Sequence, residues 1–367
     1  MEIIPVTGKR DLQTFLHLPY RIYRGDPHWV PPLLFEQRQL LTGQHPFFEK
    51  AESCLFLAKQ HGEVVGRIAA ILDHQFLESH QEPFGFFGFF ECLGNAAVTE
   101  GLLGAAGEFL KGKGMRAIRG PVNPSMNAPS GLLIEGFTSA PAFLMPYNPS
   151  TYQDLLERAG CQKAKDLLAY TLQIWTEPPP KVLRAAEEAR RRGIHVRPVV
   201  LKNLGEEIQI FRELYNAAWE RNWGFTPMSR SEAQWMAKQL KPLILPSLTL
   251  IAEAEGNPIG FLMLMPDYNQ ALQHLNGRMG PLGLLKFIWY RRRIRDVRLL
   301  LLGIKPEYRS KGVDALLFQI AARALNEHGF IMAEISWILE DNWVVLRMTE
   351  RLGGTLYKRY RIYELPL

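Results

Sequence analysis

The sequence predicts a mixed α/β fold of two similarly ordered lobes, on three observations. First, Leu299–Phe330 reads as one buried strand, a short polar loop and one amphipathic helix. Second, a hairpin followed by alternating strands and helices occurs around His61-Gly62-Glu63 and again around Glu255-Gly256-Asn257. Third, Glu177-Pro178-Pro179-Pro180 interrupts the chain near its middle; three prolines end any strand and leave Pro180 suited to the first turn of a helix. The expected lobes are 1–178 and 179–367.

In the first lobe, 16–41 mixes aromatics, prolines and arginines without a period, which predicts a surface-wrapping segment ending in a short helix. Ser53–Leu72 places apolar runs on either side of a polar turn and reads as a hairpin. FGFFGFFE at 84–91 is a third strand, aromatic enough to need a central place. Leu103, Ala106 and Leu110 line one side of a helix over 102–113 that Gly114 stops, and a strand over 115–119 follows. PVNPSMNAPS at 121–130 combines residue types that each favour turns. It is also long for a strand connection and poor in glycine, so a rigid loop at a pocket mouth, with Asn123 and Asn127 orienting an acceptor, is the functional alternative. Tyr147 introduces a helix over 150–159, and 167–175 closes the lobe as a strand.

Beyond the prolines come a helix over 181–192, a strand over 195–201 and helices over 206–222 and 231–240. The second hairpin joins 248–254 to 258–265. Trp219, Trp223, Phe225 and Pro227 cluster in NAAWERNWGFTP, as core aromatics do. The insertion 267–298 holds Leu284, Leu285, Phe287, Ile288 and Trp289, which run into Arg291, Arg292, Arg293 and Arg295. Such a segment suits a core-packed helix with a solvated basic end, a lid over an acyl chain, or an anionic membrane interface through residues 284–295.

Within 299–330, four leucines form a strand expected to be buried on both faces, ended by Gly303 and Pro306. Glu307–Gly312 is a polar turn, and Leu316, Leu317, Ile320, Ala321, Ala324 and Leu325 make the helical stripe, with Gly329 at its C′ position. Backbone N–H groups of the loop and helix start converge beside Arg309 and Lys311, an arrangement that holds phosphate. An ordinary strand-to-helix turn has the same spacing, and neither the Walker nor the Gly-x-Gly-x-x-Gly fingerprint is present.

The Pro306-x-x-Arg309-x-x-Gly312 turn, with its flanking strand and helix, resembles the acyl-CoA pyrophosphate loop of the GNAT acyltransferase superfamily. That family's pattern is Arg/Gln-x-x-Gly-x-Gly/Ala; Arg309 and Gly312 match, whereas Asp314 stands in the last place. A carboxylate there suits the helix dipole but repels a pyrophosphate. A strand over 333–338, a helix opened by Asn342 and closed at Leu352-Gly353-Gly354, and an alternating terminal strand over 355–364 extend the resemblance. The first lobe carries CLGNAAVTEG in place of the basic loop. The whole chain therefore resembles tandem GNAT proteins with one degenerate lobe, which implies in each lobe a mixed, mostly antiparallel sheet flanked by helices.

The resemblance implies an N-acyltransferase in which an amine acceptor, a small molecule or a peptide, attacks the thioester of acetyl-CoA or a longer acyl-CoA. Pantetheine would lie between 299–304 and 333–338, with Leu302, Gly303 and Ile304 offering backbone groups and an N–H near Gly303 or Ile304 polarising the carbonyl. Arg309, Ser310, Lys311, Gly312, Val313 and Asp314 would surround the pyrophosphate, with Asn342 opening the next helix. Glu334 or Ser336 would take the amine proton, depending on strand register. Trp223 and Phe225, with Asn123, Asn127 and Tyr147, are the acceptor-site candidates. Thr349 stands where the family often has a tyrosine that protonates the leaving thiolate. A non-catalytic acyl-CoA or acyl-carrier binding protein and a Fem-type aminoacyl-tRNA-dependent transferase are the rival readings.

Composition sets the bounds. The chain has 367 residues, 47% of them hydrophobic, and a formal net charge of +6 that is largely local, so DNA binding is not expected. Cys54, Cys92 and Cys161 are far apart and show no C-x-x-C spacing, which disfavours disulfide scaffolds and zinc ribbons and points to a reducing cytoplasm. His74, Glu78 and His80 lack a further ligand nearby, so no metal is expected. Ser125 and Ser130 lack a Gly-x-Ser-x-Gly elbow, and no segment has the pattern of a signal peptide or of a spanning helix.

Overall fold

The computed structural model describes all 367 residues. The chain begins β1 (Glu2–Pro5), α1 (Lys9–Ile22), α2 (Leu34–Leu41), β2 (Ala51–Gln60), β3 (Glu63–Asp73), α3 (His74–His80), β4 (Phe84–Cys92) and α4 (Ala96–Lys111). It continues β5 (Ala117–Gly120), β6 (Leu132–Glu135), α5 (Tyr152–Arg158), β7 (Gln162–Gln173), α6 (Pro180–Arg191), β8 (Ile194–Pro198), α7 (Leu204–Trp219) and α8 (Arg230–Leu240). The remainder is β9 (Thr249–Ala254), β10 (Asn257–Pro266), α9 (Asn269–Leu272), α10 (Pro281–Arg291), β11 (Asp296–Ile304), α11 (Val313–Glu327), β12 (Met332–Leu339), α12 (Trp343–Arg351) and β13 (Thr355–Pro366).

Two compact units result. The first comprises Met1–Leu168, Ala271–Trp289 and Tyr357–Leu367; the second comprises Ala169–Gln270 and Tyr290–Leu356. The units thus depart from linear order: part of the insertion and nearly all of the terminal strand belong to the first.

The first unit's strand order is β1-β2-β3-β4-β5-β13, with β6 also on β13. All of these pairings are antiparallel except β4 with β5. Leu102, Leu103, Ala106 and Leu110 of α4 pack with Ile68, Phe87 and Ile118 of the sheet, the stripe expected of that helix. The aromatic strand β4 is buried along nearly its whole length. On β13, Tyr360, Ile362 and Tyr363 are fully buried, while Arg361 donates to both oxygens of Asp166 across 2.8 and 3.1 Å.

The second unit's order is β12-β11-β10-β9-β8, antiparallel throughout except β11 with β12. The duplication is visible in topology. Each unit has a hairpin whose two turn residues both have positive φ, His61-Gly62 and Glu255-Gly256. Each then crosses between two parallel strands through one helix, α4 or α11.

Three expectations need correction. The segment 16–41 is not irregular up to its final helix, because α1 runs from Lys9 to Ile22 and buries Phe15, Leu16 and Leu18; Pro19 near its end breaks the apparent period. Helix α4 starts at Ala96 rather than 102, since Asn95 caps it. The leucine run is not buried on both faces: Leu299 is buried, but Leu300, Leu301 and Leu302 are half-buried.

Candidate active site

The second unit contains a gap in its sheet. β11 and β12 pair in parallel only from Asp296↔Met332 to Leu299↔Ile335, although both strands continue, to Ile304 and Leu339. On its other side β11 stays paired with β10 as far as Ile304↔Gly260. The register there shifts: Met263 faces Leu301 and Leu264 faces Leu299, so Leu300 is the extra residue of a bulge. A bulge bends its strand and terminates pairing. It falls where the parallel ladder ends, and Leu300–Ile304 consequently diverges from Ser336–Leu339. Backbone groups on the inner edges of that wedge are left to pair with something else.

Gly303 and Ile304 form the end of one wall. A Cβ on Gly303 would lie 2.4 Å from the Phe261 ring of β10 and 3.0 Å from Ala218 of α7, so a larger residue there would have to displace the ring and press on α7. Leu301 packs against the aromatic cluster of Tyr215, Phe225 and Phe261.

The loop after β11 leads into α11, whose N-cap, Gly312, has φ +80° and supplies no side-chain cap. A Cβ there would lie 2.3 Å from the Ala185 carbonyl oxygen on α6, which fixes glycine on steric and conformational grounds together. The first-turn N–H groups of this 15-residue helix therefore point out of its end with only the side chain of Asp314 as an acidic neighbour in that turn. Ser310 also has positive φ, 60°. Val313 is buried. Lys311 is exposed, its ammonium 4.8 Å from the Tyr308 ring centroid. Arg309 is held differently from the sequence expectation: Nη2 donates to Ala218 O at 2.7 Å and Nε to Ile304 O at 3.3 Å. It ties the loop to the C-terminal end of α7, where a cation is favoured, and so positions the loop amides.

Glu334 and Ser336 meet a partner the sequence reading did not single out. Arg298 Nε donates to Ser336 Oγ at 2.9 Å and Nη2 to Ser336 O at 3.3 Å, and Nε lies 3.9 Å from Glu334 Oε1. Ser336 Oγ in turn donates to Glu334 Oε1. All three are buried, and Arg298 faces Glu334 across the parallel ladder. Ser336 is the first residue of β12 beyond that ladder, at the apex of the wedge. A carboxylate, a hydroxyl and a guanidinium thus form one chain of charge-assisted hydrogen bonds there. The alternation of β11 and β12 placed Arg298 on the same face, but only the register reveals the match.

The other expected residues have local duties. Asn342 caps α12, its Oδ1 accepting from Val345 N at 3.3 Å. Thr349 is 0% exposed, and its methyl lies where a Cβ on Gly354 would come within 2.6 Å. It fills the core beneath the α12–β13 turn, and its buried hydroxyl has no hydrogen-bond partner. Phe225 belongs to the α7 aromatic core, and Trp223 is half-buried in the α7–α8 loop. In the first unit, Asn123 Oδ1 accepts from Phe89 N at 2.6 Å and its Nδ2 donates to Pro129 O at 3.1 Å. Asn127 N donates to Ser125 Oγ, and Tyr147 Oη donates to Asp26 at 2.9 Å. His74 and Glu78 serve separate contacts, His74 Nε2 lying 3.0 Å from Glu52 Oε1 and Glu78 pairing with Lys50.

The first unit shows why a lobe loses such a wedge. β4 and β5 also part early, after Phe86↔Arg119. There the 121–130 loop fills the opening: Val122 N donates to Phe87 O, and a Cβ on Gly88 would sit 1.9 Å from Val122 O. The α4 N-terminus is occupied as well, because Asn95 Oδ1 accepts from Ala97 N and Val98 N. Wedge and helix end are both filled by the chain itself.

A model described as "Acetyltransferase (GNAT) family" matches residues 208–353. Protein YghO of Escherichia coli (strain K12) is 34% identical over 363 residues, 97% of this chain and 93% of that protein. A bacterial ceramide synthase of Caulobacter vibrioides (strain NA1000 / CB15N) is 33% identical over 375 residues, 100% of this chain and 98% of that protein. Among solved structures, a tandem GNAT protein from the clavulanic acid biosynthesis pathway aligns with TM-score 0.58 at 12% identity, over 100% of this chain and 98% of its own. A GCN5-related N-acetyltransferase from Sphaerobacter thermophilus aligns with TM-score 0.54 at 14% identity, over 99% and 95%. At these identities the structures speak to the fold alone.

Proposed function

Because the chain belongs to the GNAT acyltransferase family, we propose that its second unit transfers an acyl group from an acyl-CoA thioester to a long-chain amine, forming an amide. The observation that carries this reading is the parting of β11 and β12 at the Leu300 bulge, directly ahead of an uncapped helix start. The wedge offers backbone hydrogen bonds to an extended pantetheine, and the α11 amides with Lys311 offer an anion site to the pyrophosphate. The amine nitrogen attacks the thioester carbonyl. The oxyanion forms beside the Gly303–Ile304 backbone, and the C–S bond breaks to release the thiolate. The amine proton passes through Ser336 Oγ to Glu334, whose charge Arg298 stabilises. With Thr349 buried, water protonates the thiolate. The amine of a long-chain acceptor is favoured by the Caulobacter relative, since a ceramide is an N-acylated long-chain amino alcohol.

The test is an incubation with a long-chain acyl-CoA and a long-chain amino alcohol, following free thiol and products by mass spectrometry. The reading expects acceptor-dependent CoA release matched by amide. Tight acyl-CoA binding with no amide would instead favour a non-catalytic binding protein, and an ester product would contradict N-acylation.

A further inference from the structure

Helix α10 buries little of itself. Of Pro281–Arg291 only Phe287 is buried, while Leu282 is 76% exposed, Leu285 64%, Leu284 and Trp289 50% each, and Ile288 39%. At about 100° per residue these five side chains share an arc of about 160° on one face of the helix. Gly283, Phe287 and Tyr290 fall on the opposite side. Lys286 borders the arc on one flank and Arg291 on the other, and both are exposed. Arg292, in the turn that follows, is exposed as well.

Five large apolar side chains contiguous on a helix face make the kind of patch that marks an interaction site. The charge pattern identifies the partner. Cations on both flanks of an apolar stripe place positive charge at one level on either side of a buried strip. That geometry matches a plane of phosphates above acyl chains, and no acidic residue lies in 281–293 to oppose it. No helix of the chain is long and apolar enough to cross a membrane, so contact through α10 is in-plane.

We propose that α10 docks the protein on an anionic lipid bilayer, with Leu282, Leu285, Ile288 and Trp289 in the headgroup–acyl boundary and Lys286, Arg291 and Arg292 among the phosphates. The contact requires no turnover, so it stands or falls separately from the acyl-transfer reading.

The experiment is co-sedimentation of the full chain with vesicles of phosphatidylcholine alone and of phosphatidylcholine mixed with phosphatidylglycerol, at low and high salt. The expected result is binding to the mixed vesicles that weakens with salt and is much poorer on phosphatidylcholine. Leu282→Asp with Leu285→Asp lowers the partition coefficient at least about tenfold. Arg291→Glu with Arg292→Glu lowers it comparably and flattens the salt dependence. Circular dichroism and the unfolding midpoint confirm that each variant is folded; the arginine pair supplies the test should the leucine pair fail to fold. Wild-type protein that ignores mixed vesicles, or variants that bind them as well as wild type, would overturn the proposal. So would a wild-type dimer in sedimentation velocity that the leucine substitutions convert to monomer, because the face would then be a self-association surface.

Discussion

The backbone N–H of Phe89 donates to Asn123 Oδ1 across 2.6 Å, so a side chain from the 121–130 loop takes a hydrogen bond at the very place where the first unit's parallel strands part. In the second unit the ladder between β11 and β12 likewise ends early, after Leu299↔Ile335. Asn123→Ala strands that N–H and the loop end at Pro129, and should cost about 1–3 kcal/mol in chemical denaturation. Acyl-CoA affinity, proposed for the second unit, should remain within a few-fold of wild type.

Gly312 couples conformation to packing. Gly312→Val adds a β-branched side chain at φ +80° against the Ala185 carbonyl. The expected cost is about 1–3 kcal/mol of stability from the backbone conformation alone. Isothermal titration should show CoA affinity reduced at least about tenfold, since the loop amides lose their convergence on one point.

Variants in the Arg298–Ser336–Glu334 chain test the proposed proton path. Glu334→Gln and Ser336→Ala should each lower kcat by about 10²-fold or more with little change in acyl-CoA Kd, as expected of a proton path. Arg298→Met leaves Glu334 buried without its cation and should destabilise the protein by about 3–5 kcal/mol, read by denaturant titration.

Asp166 is 2% exposed at its side chain, and the carboxylate meets Arg361, Lys163 and Arg359. Burial alone would raise its pKa, but the hydrogen bonds from Arg361 and Lys163 outweigh it and hold the group below its ordinary 3.8. For a carboxyl lowered on folding, the stabilisation is present above the unfolded value and is lost as pH falls through the folded one. Unfolding free energy should therefore decline below about pH 4, less steeply in Asp166→Asn, as followed by denaturant titration across that range.

Much of this architecture was legible in the sequence. Leu316 to Leu325 could only serve as a helix stripe, the two polar turns fixed both hairpins, and Arg309-x-x-Gly312 located the loop. Long-range partners were not legible. Nothing local shows that β13 completes the first unit, because Tyr360 and Tyr363 would alternate equally well in either sheet. Nothing near Arg298 in the sequence signals its role, because its salt bridge depends on a parallel register between segments 36 residues apart, Arg298 with Glu334. Asn123 looked like turn chemistry or an acceptor ligand; the structure gives it a third role, as a plug.

The proposed acyl transfer requires that the wedge and the α11 start bind an acyl-CoA. The most direct measurement is calorimetric titration of CoA, acetyl-CoA and a long-chain acyl-CoA into the wild-type protein and into Arg309→Glu. Replacing Arg309 removes its hydrogen bonds to Ala218 and Ile304 and brings a carboxylate to the anion site. The expected result is saturable one-site binding to wild type, tightest for the long-chain thioester, and its loss in the variant. Absence of binding by all three ligands, or undiminished binding by folded Arg309→Glu, would contradict it.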